Sequence, residues 1–387
     1  MRRAHKIKLD PNQEQATYFA KACGVARHAY NWALAKWKEQ YEAGLKPNEA
    51  ALRKQYNAIK PVEFPWALEV TKNAPQQAIK NAGTAFSNFF RKVKAGKKGK
   101  DGGYPKFKKK GLHDAFRADN GPPKKGVSAV QVDGKRVKLP IIGWVKMREE
   151  LRFPGCIQST TVSRLADGWY ISILVETDAR PHQESTGVVG VDFGLKALAT
   201  LSTGESIPGP KPHRRLDGRL RRLNRSLARK RKGSANWKKA KTKLSRLHKR
   251  LADIREDALH KLSHHLTTQF DVIGIEDLNV RGMAANRRLA RSVSDAGLRS
   301  LRTKIEYKAA MTGATVVVVD RWFPSSKTCS QCGRHHPEIV LGVDTLRCDC
   351  GLIIDRDLNA AINLANYAVS STVSACGEDG SGVASAA

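Results

Sequence analysis

The sequence predicts a multi-domain chain that is part α/β and part β. Three observations carry that prediction. In the second half, apolar strand-like runs alternate with helical stretches: Val188–Val191, Asp271–Glu276 and Ala314–Asp320, the last reading ATVVVVD. Parallel sheets buried between helices have this pattern. Between residues 116 and 176 the chain alternates in short strands parted by turn residues, as a small β-barrel does. Before that, much of residues 12–90 places apolar side chains at helical spacing. A chain of 387 residues is long enough for several cores.

Residues 5–9, His-Lys-Ile-Lys-Leu, alternate as a strand. Asp10-Pro11 then opens a helix, since proline is tolerated in a first turn. Phe19, Cys23, Val25, Ala26, Tyr30, Ala33, Leu34 and Trp37 follow at helical spacing, to about Gly44. Further helical blocks cover residues 50–59 and the stretch from Pro75 to Phe90, and their aromatics are read as core. The third block also has a polar face: Gln76, Gln77, Lys80 and Asn81. Glutamine and asparagine match adenine edges and lysine matches guanine, so these are candidate base readers, beside the plainer reading of a solvated face. Residues 91–112 form a Gly/Lys linker in which Tyr104, Lys106 and Phe107 interleave aromatic and basic groups, as a phosphate-and-stacking surface requires. The strands that follow include VSAVQV, RVKLP, IIGWVKM, TTVSRL and WYISILVE, with hairpin turns at Asp133-Gly134 and Asp167-Gly168. The first strand is expected to return and complete the barrel, with the helices inserted between. Residues 177–186 are a polar linker with Pro181.

Lysine plus arginine number 69 against 36 acids, a net +33. So large an excess predicts a long polyanionic partner, nucleic acid ahead of a membrane surface. The charge concentrates in residues 211–250, where Asp217 is the lone acid. Leu216, Leu220, Leu223 and Leu227, then Leu244, Leu247 and Leu251, keep helical stripes there, and Gly233-Ser234 splits them into two helices. Arg221, Arg222 and Arg225 are candidate backbone contacts in this stretch. No apolar run approaches the length that spans a bilayer, and no apolar signal core follows Met1-Arg2-Arg3. The expected location is the prokaryotic cytoplasm, at the nucleoid, with no membrane partner. Ser294–Met311 is read as one helix and the Gly/Ser/Ala-rich Gly377–Ala387 as a disordered tail.

Two clusters carry chemistry. Cys329-x2-Cys332 and Cys348-x-Cys350 are two close thiol pairs across a short loop, which can close a tetrahedral shell on one structural Zn²⁺ and leave no open position. His335 and His336 lie nearby and are read as non-ligands. The second cluster is acidic. Asp192 ends the apolar run GVVGV, Glu276 ends DVIGI, and Asp355 and Asp357 open the helical stretch DRDLNAAINL. Carboxylates at the ends of three buried elements suit a two-metal Mg²⁺ site. There Asp192 bridges both ions, while Glu276 and Asp357 each complete one shell. Asp355 is the alternative third acid on these grounds. One ion activates water for in-line attack on a phosphodiester, and the other stabilises the leaving oxygen.

VDFGLKALATL, IGIEDLNV, FPSSKTCSQCG and DRDLNAAINL, in that order and with a four-cysteine insert, together resemble TnpB, the RNA-guided nuclease of small bacterial and archaeal insertion sequences. YPKFKKK and LPIIGWVKM match as well, so the resemblance spans nearly the whole chain. It implies an RNase H-like (RuvC) nuclease domain with a zinc-finger insert, a wedge β-barrel and a helical recognition lobe. The bounds implied are residues 1–10 for the first barrel strand, 11–103 for the lobe and 104–180 for the rest of the barrel. The nuclease domain takes 187–322 and 354–376 around a zinc-binding insert at 323–353, and the tail is 377–387. Asp192, Glu276 and Asp357 carry over as the catalytic triad, and Cys329, Cys332, Cys348 and Cys350 as zinc ligands. The implied partners are a guide RNA from the element's end and double-stranded DNA beside a short motif. One triad cutting both strands in turn would suffice in a monomer. The rivals are an RNA-guided DNA binder that does not cut, a transposase acting on element ends without RNA, and an ATPase of the actin and sugar-kinase type. The ATPase would need a second phosphate loop, and Arg321-Trp322-Phe323 stands in its place.

Overall fold

The computed structural model describes residues 1–97, 102–121, 128–178, 187–340 and 342–378, and it divides into two units, 1–178 and 179–387. Residues 98–101 of the Gly/Lys linker, Val127, most of the linker at 177–186, and 379–387 of the tail lie outside the described residues. No helix among the described residues is long and apolar enough to cross a membrane.

The first unit begins with β1 (Arg2–Lys8) and runs through three helices: α1 (Gln13–Glu42), α2 (Glu49–Glu63) and α3 (Asn73–Lys94). The cap of α1 is Asn12 rather than Asp10. Its Oδ1 accepts from the Gln15 amide at 2.8 Å, and Gln15 Oε1 accepts from the Asn12 amide at 3.1 Å. That reciprocal pair is a capping box, and it leaves Pro11 outside the helix. Six strands follow: β2 (Ala115–Asp119), β3 (Gln131–Asp133), β4 (Arg136–Leu139), β5 (Gly143–Lys146), β6 (Cys156–Leu165) and β7 (Gly168–Glu176). β1 pairs antiparallel with β7 from Arg2↔Glu176 to Lys8↔Tyr170, so the chain's first strand returns beside its partner after the helices. Phe19 of α1 meets Phe116 and Trp169 at ring separations of 5.9 and 5.3 Å and ties helix to sheet.

The strands expected as a small barrel form two hydrogen-bonded sheets among the described residues, β1-β7-β6-β2 and β3-β4-β5, bridged at Leu9↔Met147. The chain between β5 and β6 includes Pro154, which has no amide hydrogen to donate, and Gly155 at φ +131°. Both residues disfavour regular strand at that point.

The second unit is built on one five-stranded sheet of order β10-β9-β8-β11-β12. Its strands are β8 (Val188–Asp192), β9 (Ala199–Leu201), β10 (Ser206–Ile207), β11 (Val272–Glu276) and β12 (Thr315–Val319). β8, β11 and β12 are parallel, and β9 and β10 return antiparallel on the other side. Between β10 and β11 run α4 (Pro212–Ala228) and the 35-residue α5 (Ala235–Gln269). Ser234 caps α5 by accepting from the Trp237 amide, at the break expected there. α6 (Val280–Ala285), α7 (Ala290–Ala296) and α8 (Leu298–Thr312) precede β12. The single helix expected over Ser294–Met311 is thus two. Gly297 stands between them at φ +65°, and a Cβ there would lie 3.0 Å from Arg255 and 3.1 Å from Leu259 of α5. A small hairpin, β13 (Thr345–Arg347) and β14 (Ile353–Asp355), leads into α9 (Arg356–Glu378), so Gly377 and Glu378 of the expected tail are helical.

Two glycines let α9 lie on the sheet. Gly190 of β8 and Gly274 of β11 are register partners. A Cβ on Gly190 would meet Ala361 O at 1.9 Å and Ala365 N at 2.4 Å, and one on Gly274 would meet Leu364 O at 2.5 Å. Such contacts are backbone against backbone, with no side chain to give way. Gly190→Ala is therefore expected to destabilise the second unit by about 3 kcal/mol, the upper end of ordinary overpacking. Gly218→Ala, on the exposed side of α4 with open space around it, should instead gain up to ~1 kcal/mol from helix propensity. Thermal unfolding of the two variants checks the contrast.

Candidate active site

Side chains two apart on a strand share a face. Asp192 follows Gly190 by two on β8, and Glu276 follows Gly274 by two on β11, so both acids point to the face that α9 covers. Asp357 lies in the first turn of α9, one helical turn before the Ala361 carbonyl that meets Gly190. The same packing that seats the helix thus brings three acids from remote parts of the chain to one end of the sheet.

Their electrostatics follow from that placement. Burial pushes the Asp192 carboxyl up to about 8, and the negative charges of Glu276 and Asp357 push in the same direction, with Arg356 opposing. Glu276 is raised by burial and by Asp357, against a lowering hydrogen bond from Ser325. Asp357 is raised by burial and then by Asp355. Asp355 is already engaged: its Oδ1 accepts the amides of Asp357 and Leu358, both at 3.0 Å, and so caps α9. The Asp357 side chain takes no hydrogen bond among the described residues, which leaves its oxygens for another occupant. Partly buried carboxylates whose protons are held more tightly than usual have the chemistry of oxygen ligands for a hard divalent cation.

Three residues of this site lie within the recognisable motifs but carry no role predicted from sequence. Ser325 Oγ donates to Glu276 Oε1 at 2.6 Å. The loop that presents it is held by two side chains of α9. Asn363 donates to the carbonyls of Ser325 and Thr328 at 2.7 Å each, and Asn359 donates to Thr328 at 2.7 Å and accepts from the Ser330 amide at 2.9 Å. Ser325, Asn359 and Asn363 are all buried. The spacing of Asn359 and Asn363, four apart on a helix, was the available signal: two amides on one buried face must have partners.

The Thr328–Ser330 end of that loop leads directly into the cysteines. The thiols of Cys329, Cys332, Cys348 and Cys350 all lie within 4.8 Å of one another, with Cys329–Cys350 at 3.7 Å and Cys332–Cys348 at 3.5 Å. Buried Leu346 packs beneath them. His336 is turned away to Glu338 at 2.9 Å, and neither histidine joins the group. Four thiols at this separation match the closed tetrahedral shell of Zn²⁺.

The candidate nucleic-acid contacts are divided among several places. On α3, Lys80 and Asn81 are exposed while Gln76 and Gln77 are half-buried, and Gln77 Nε2 donates to Asn81 Oδ1 at 3.1 Å. Tyr104 stands edge-on to Phe86 and Phe89 at 5.8 and 5.2 Å and is still exposed, as are Lys106 and Phe107. Arg221, Arg222 and Arg225 are exposed on α4, and Arg221 pairs with Asp217 at 2.8 Å. The structure adds a group that the sequence did not single out. Arg219, Lys243, Arg246 and Arg250 converge on one cleft of about 410 Å³ between α4 and α5, without an acidic partner among the described residues.

Two outcomes follow from these sites. In metal-free protein the folded state keeps the Asp192 proton between its unfolded value, 3.8, and about 8. Stability is therefore lost as pH rises through that window. Asp192→Asn should match the parent near pH 4 and melt at a higher temperature above pH 8, with the gap shrinking when Mg²⁺ is added. Elemental analysis should find about one Zn per chain, and Cys332→Ser should lower both the zinc content and the melting temperature.

Three family descriptions match along the chain: "Helix-turn-helix domain" over residues 1–46, "Probable transposase" over 171–287, and "Cas12f1-like, TNB domain" over 299–364. Residues 1–46 hold a strand and the single uninterrupted helix α1, so the first description does not match the local structure. A Streptomyces pristinaespiralis protein named "Putative RNA-guided DNA endonuclease" is 38% identical, over 98% of this chain and 92% of its own. The Escherichia coli K12 protein "Putative RNA-guided DNA endonuclease InsQ" is 33% identical, over 97% and 94%. A solved structure described as "Cryo-EM structure of the Cas12f1-sgRNA-target DNA complex" aligns with a TM-score of 0.62 and 15% identity, over 92% of this chain and 83% of that one, a likeness of fold: mixed α/β and multi-domain. With near-full-length relatives at this identity and the transposase description over the β8 to β11 region, the chain belongs to the TnpB family.

Proposed function

We propose that this chain is an RNA-guided DNA endonuclease. Bound to a guide RNA from the end of its element, it hydrolyses phosphodiester bonds in matched double-stranded DNA beside a short motif. The observation that carries this reading is the convergence of Asp192, Glu276 and Asp357 at one end of the β8/β11 sheet, where burial raises all three and the charge of Asp357 raises the other two further. The names of the relatives, and the guide RNA and target DNA in the Cas12f1 complex, support the choice of substrate.

On this reading the three carboxylates hold Mg²⁺, which when bound supplies a polarised water and neutralises charge on the leaving oxygen. Asp192, which feels both other acids, would supply ligand oxygens beside theirs. Ser325 fixes one oxygen of Glu276 and thereby turns the other toward the site. The enclosing RNase H-like domain supplies the rigid sheet end that this alignment needs. The four cysteines hold a structural Zn²⁺ and perform no chemistry. The cations of α4 and α5, Arg221, Arg222 and Arg225 together with the quartet around Arg246, bind nucleic-acid backbone irrespective of sequence. Gln76, Gln77, Lys80 and Asn81 read the adjacent motif, with Lys106 and Phe107 beside them in sequence supplying phosphate and stacking contacts. One acid cluster serves both strands in turn, so a single copy suffices.

With its RNA and Mg²⁺, the protein should cut matched duplex DNA. Asp192→Ala should abolish cutting and leave target binding nearly unchanged, because the metal site is lost and the basic surface is not. A gel assay of cleavage beside a filter-binding titration decides it, and continued cutting by the variant would sink the assignment.

A further inference from the structure

The segment between β12 and the cysteine hairpin holds a residue that the hydrolysis leaves without a role. Trp322 is 83% exposed, an indole left facing water. Its backbone is nonetheless held. The Trp322 amide donates to Asp320 Oδ1 at 2.8 Å, and the Phe323 amide donates to the Asp320 carbonyl at 3.1 Å. On one side, Arg321 is tied by its guanidinium to Asp277. On the other, the Phe323 ring stands against Tyr367 at 5.2 Å. Ser325, whose hydroxyl holds Glu276, is three residues further on. Trp322 and Glu276 line one cleft of about 410 Å³, with Asn279, Asp320, Arg321 and Phe323 among its walls.

We propose that Trp322 is a stacking platform for a nucleobase of the strand being cut, holding that strand in register with Glu276. The proposal deepens the endonuclease reading and rests on it. Its ligand class is an unpaired nucleobase, because that is what an exposed aromatic face on a held backbone binds without regard to sequence. The cleft matches both parts of a base: Leu278, Val319 and Leu364 give apolar wall for its face, and Asn279 and Asp320 give polar groups for its edge. A duplex base pair offers its face only at an end, so the platform requires the DNA to be locally single-stranded where it passes Glu276.

The test uses the whole ribonucleoprotein, assembled with the RNA that copurifies and carrying Asp192→Ala so that DNA is bound but not cut. Matched target DNAs carry one abasic site each, stepped along the strand through the cutting region. With Trp322 present, one position should weaken binding by about tenfold, in the range of one base stack. Trp322→Ala should cost the same factor, and the abasic site should then add nothing to it. Trp322→Phe should recover most of the loss. A 2-aminopurine placed at that position should be quenched by the parent and bright with Trp322→Ala. The proposal is overturned if every abasic penalty is equal in the two proteins, or if 2-aminopurine stays bright at all positions with Trp322 in place. Loss of self-association in Trp322→Ala with unchanged abasic penalties would likewise overturn it, and assign the indole to protein contact. Cutting by the parent ribonucleoprotein is measured separately. If it cuts but shows no coupling, the platform alone fails. If coupling is seen and no cutting, the endonuclease reading fails and the base contact stands.

Discussion

The acid cluster depends on one close approach of backbones. α9 lies so near β8 and β11 that Gly190 and Gly274 have no room for a Cβ. A helix packed at ordinary side-chain distance would stand ~10 Å from the sheet, and its first turn would not reach the strand ends. The glycines remove that separation, and they do so in register, each two residues before an acid. The seating of the helix and the position of the carboxylates are thus one geometric fact. The apolar core beneath, with Val189, Val191, Ile273 and Ile275 fully buried, supplies the rigidity that keeps repelling charges together.

α9 serves two sites. Its first turn carries Asp357, and Asn359 and Asn363 hold the loop from Ser325 to Ser330. That loop ends in Cys329 and begins with the hydroxyl that steadies Glu276. The cysteine group is therefore not an appended ornament on the surface. It fixes one end of a strap whose other end holds a carboxylate, so order at the cysteines and order at the acids are joined. Lys196, in the loop after β8, bonds Asp344 of the hairpin at 2.7 Å and closes the same circuit on the exposed side.

Much of this was legible in the sequence where a local signal matched a local cause. The helical stripes of α1, α3, α4 and α5 and the apolar strands β8, β11 and β12 form as their periodicity predicts, because burial of one face drives them. The break at Gly233-Ser234 was readable because Ser234 is a cap. The break at Gly297 was not, since it answers to Arg255 and Leu259, more than thirty residues away. The division of the barrel strands into two sheets was not readable, because spacing reports strand lengths and not which edges meet. The choice between Asp355 and Asp357 could not be made from residue type alone. In the fold, Asp355 Oδ1 accepts two amides of α9, a contact that residue type does not announce. Ser325 lay inside a motif without attracting notice, because a serine beside lysine and threonine carries no periodic signal, and its partner is forty-nine residues distant.

The raised Asp192 has a consequence for the resting state. With its carboxyl pushed up to about 8 by burial, Asp192 keeps its proton at neutral pH, and on the proposed reading an entering divalent cation would have to expel it. Loading the site and acidifying the solvent then become one exchange reaction. The measured heat of ion uptake will depend on the ionisation enthalpy of the buffer, and apparent affinity will steepen with alkalinity. A fall in cellular pH competes with the cation at a single oxygen pair and leaves the nucleic-acid surface, made largely of arginine and lysine, as charged as before.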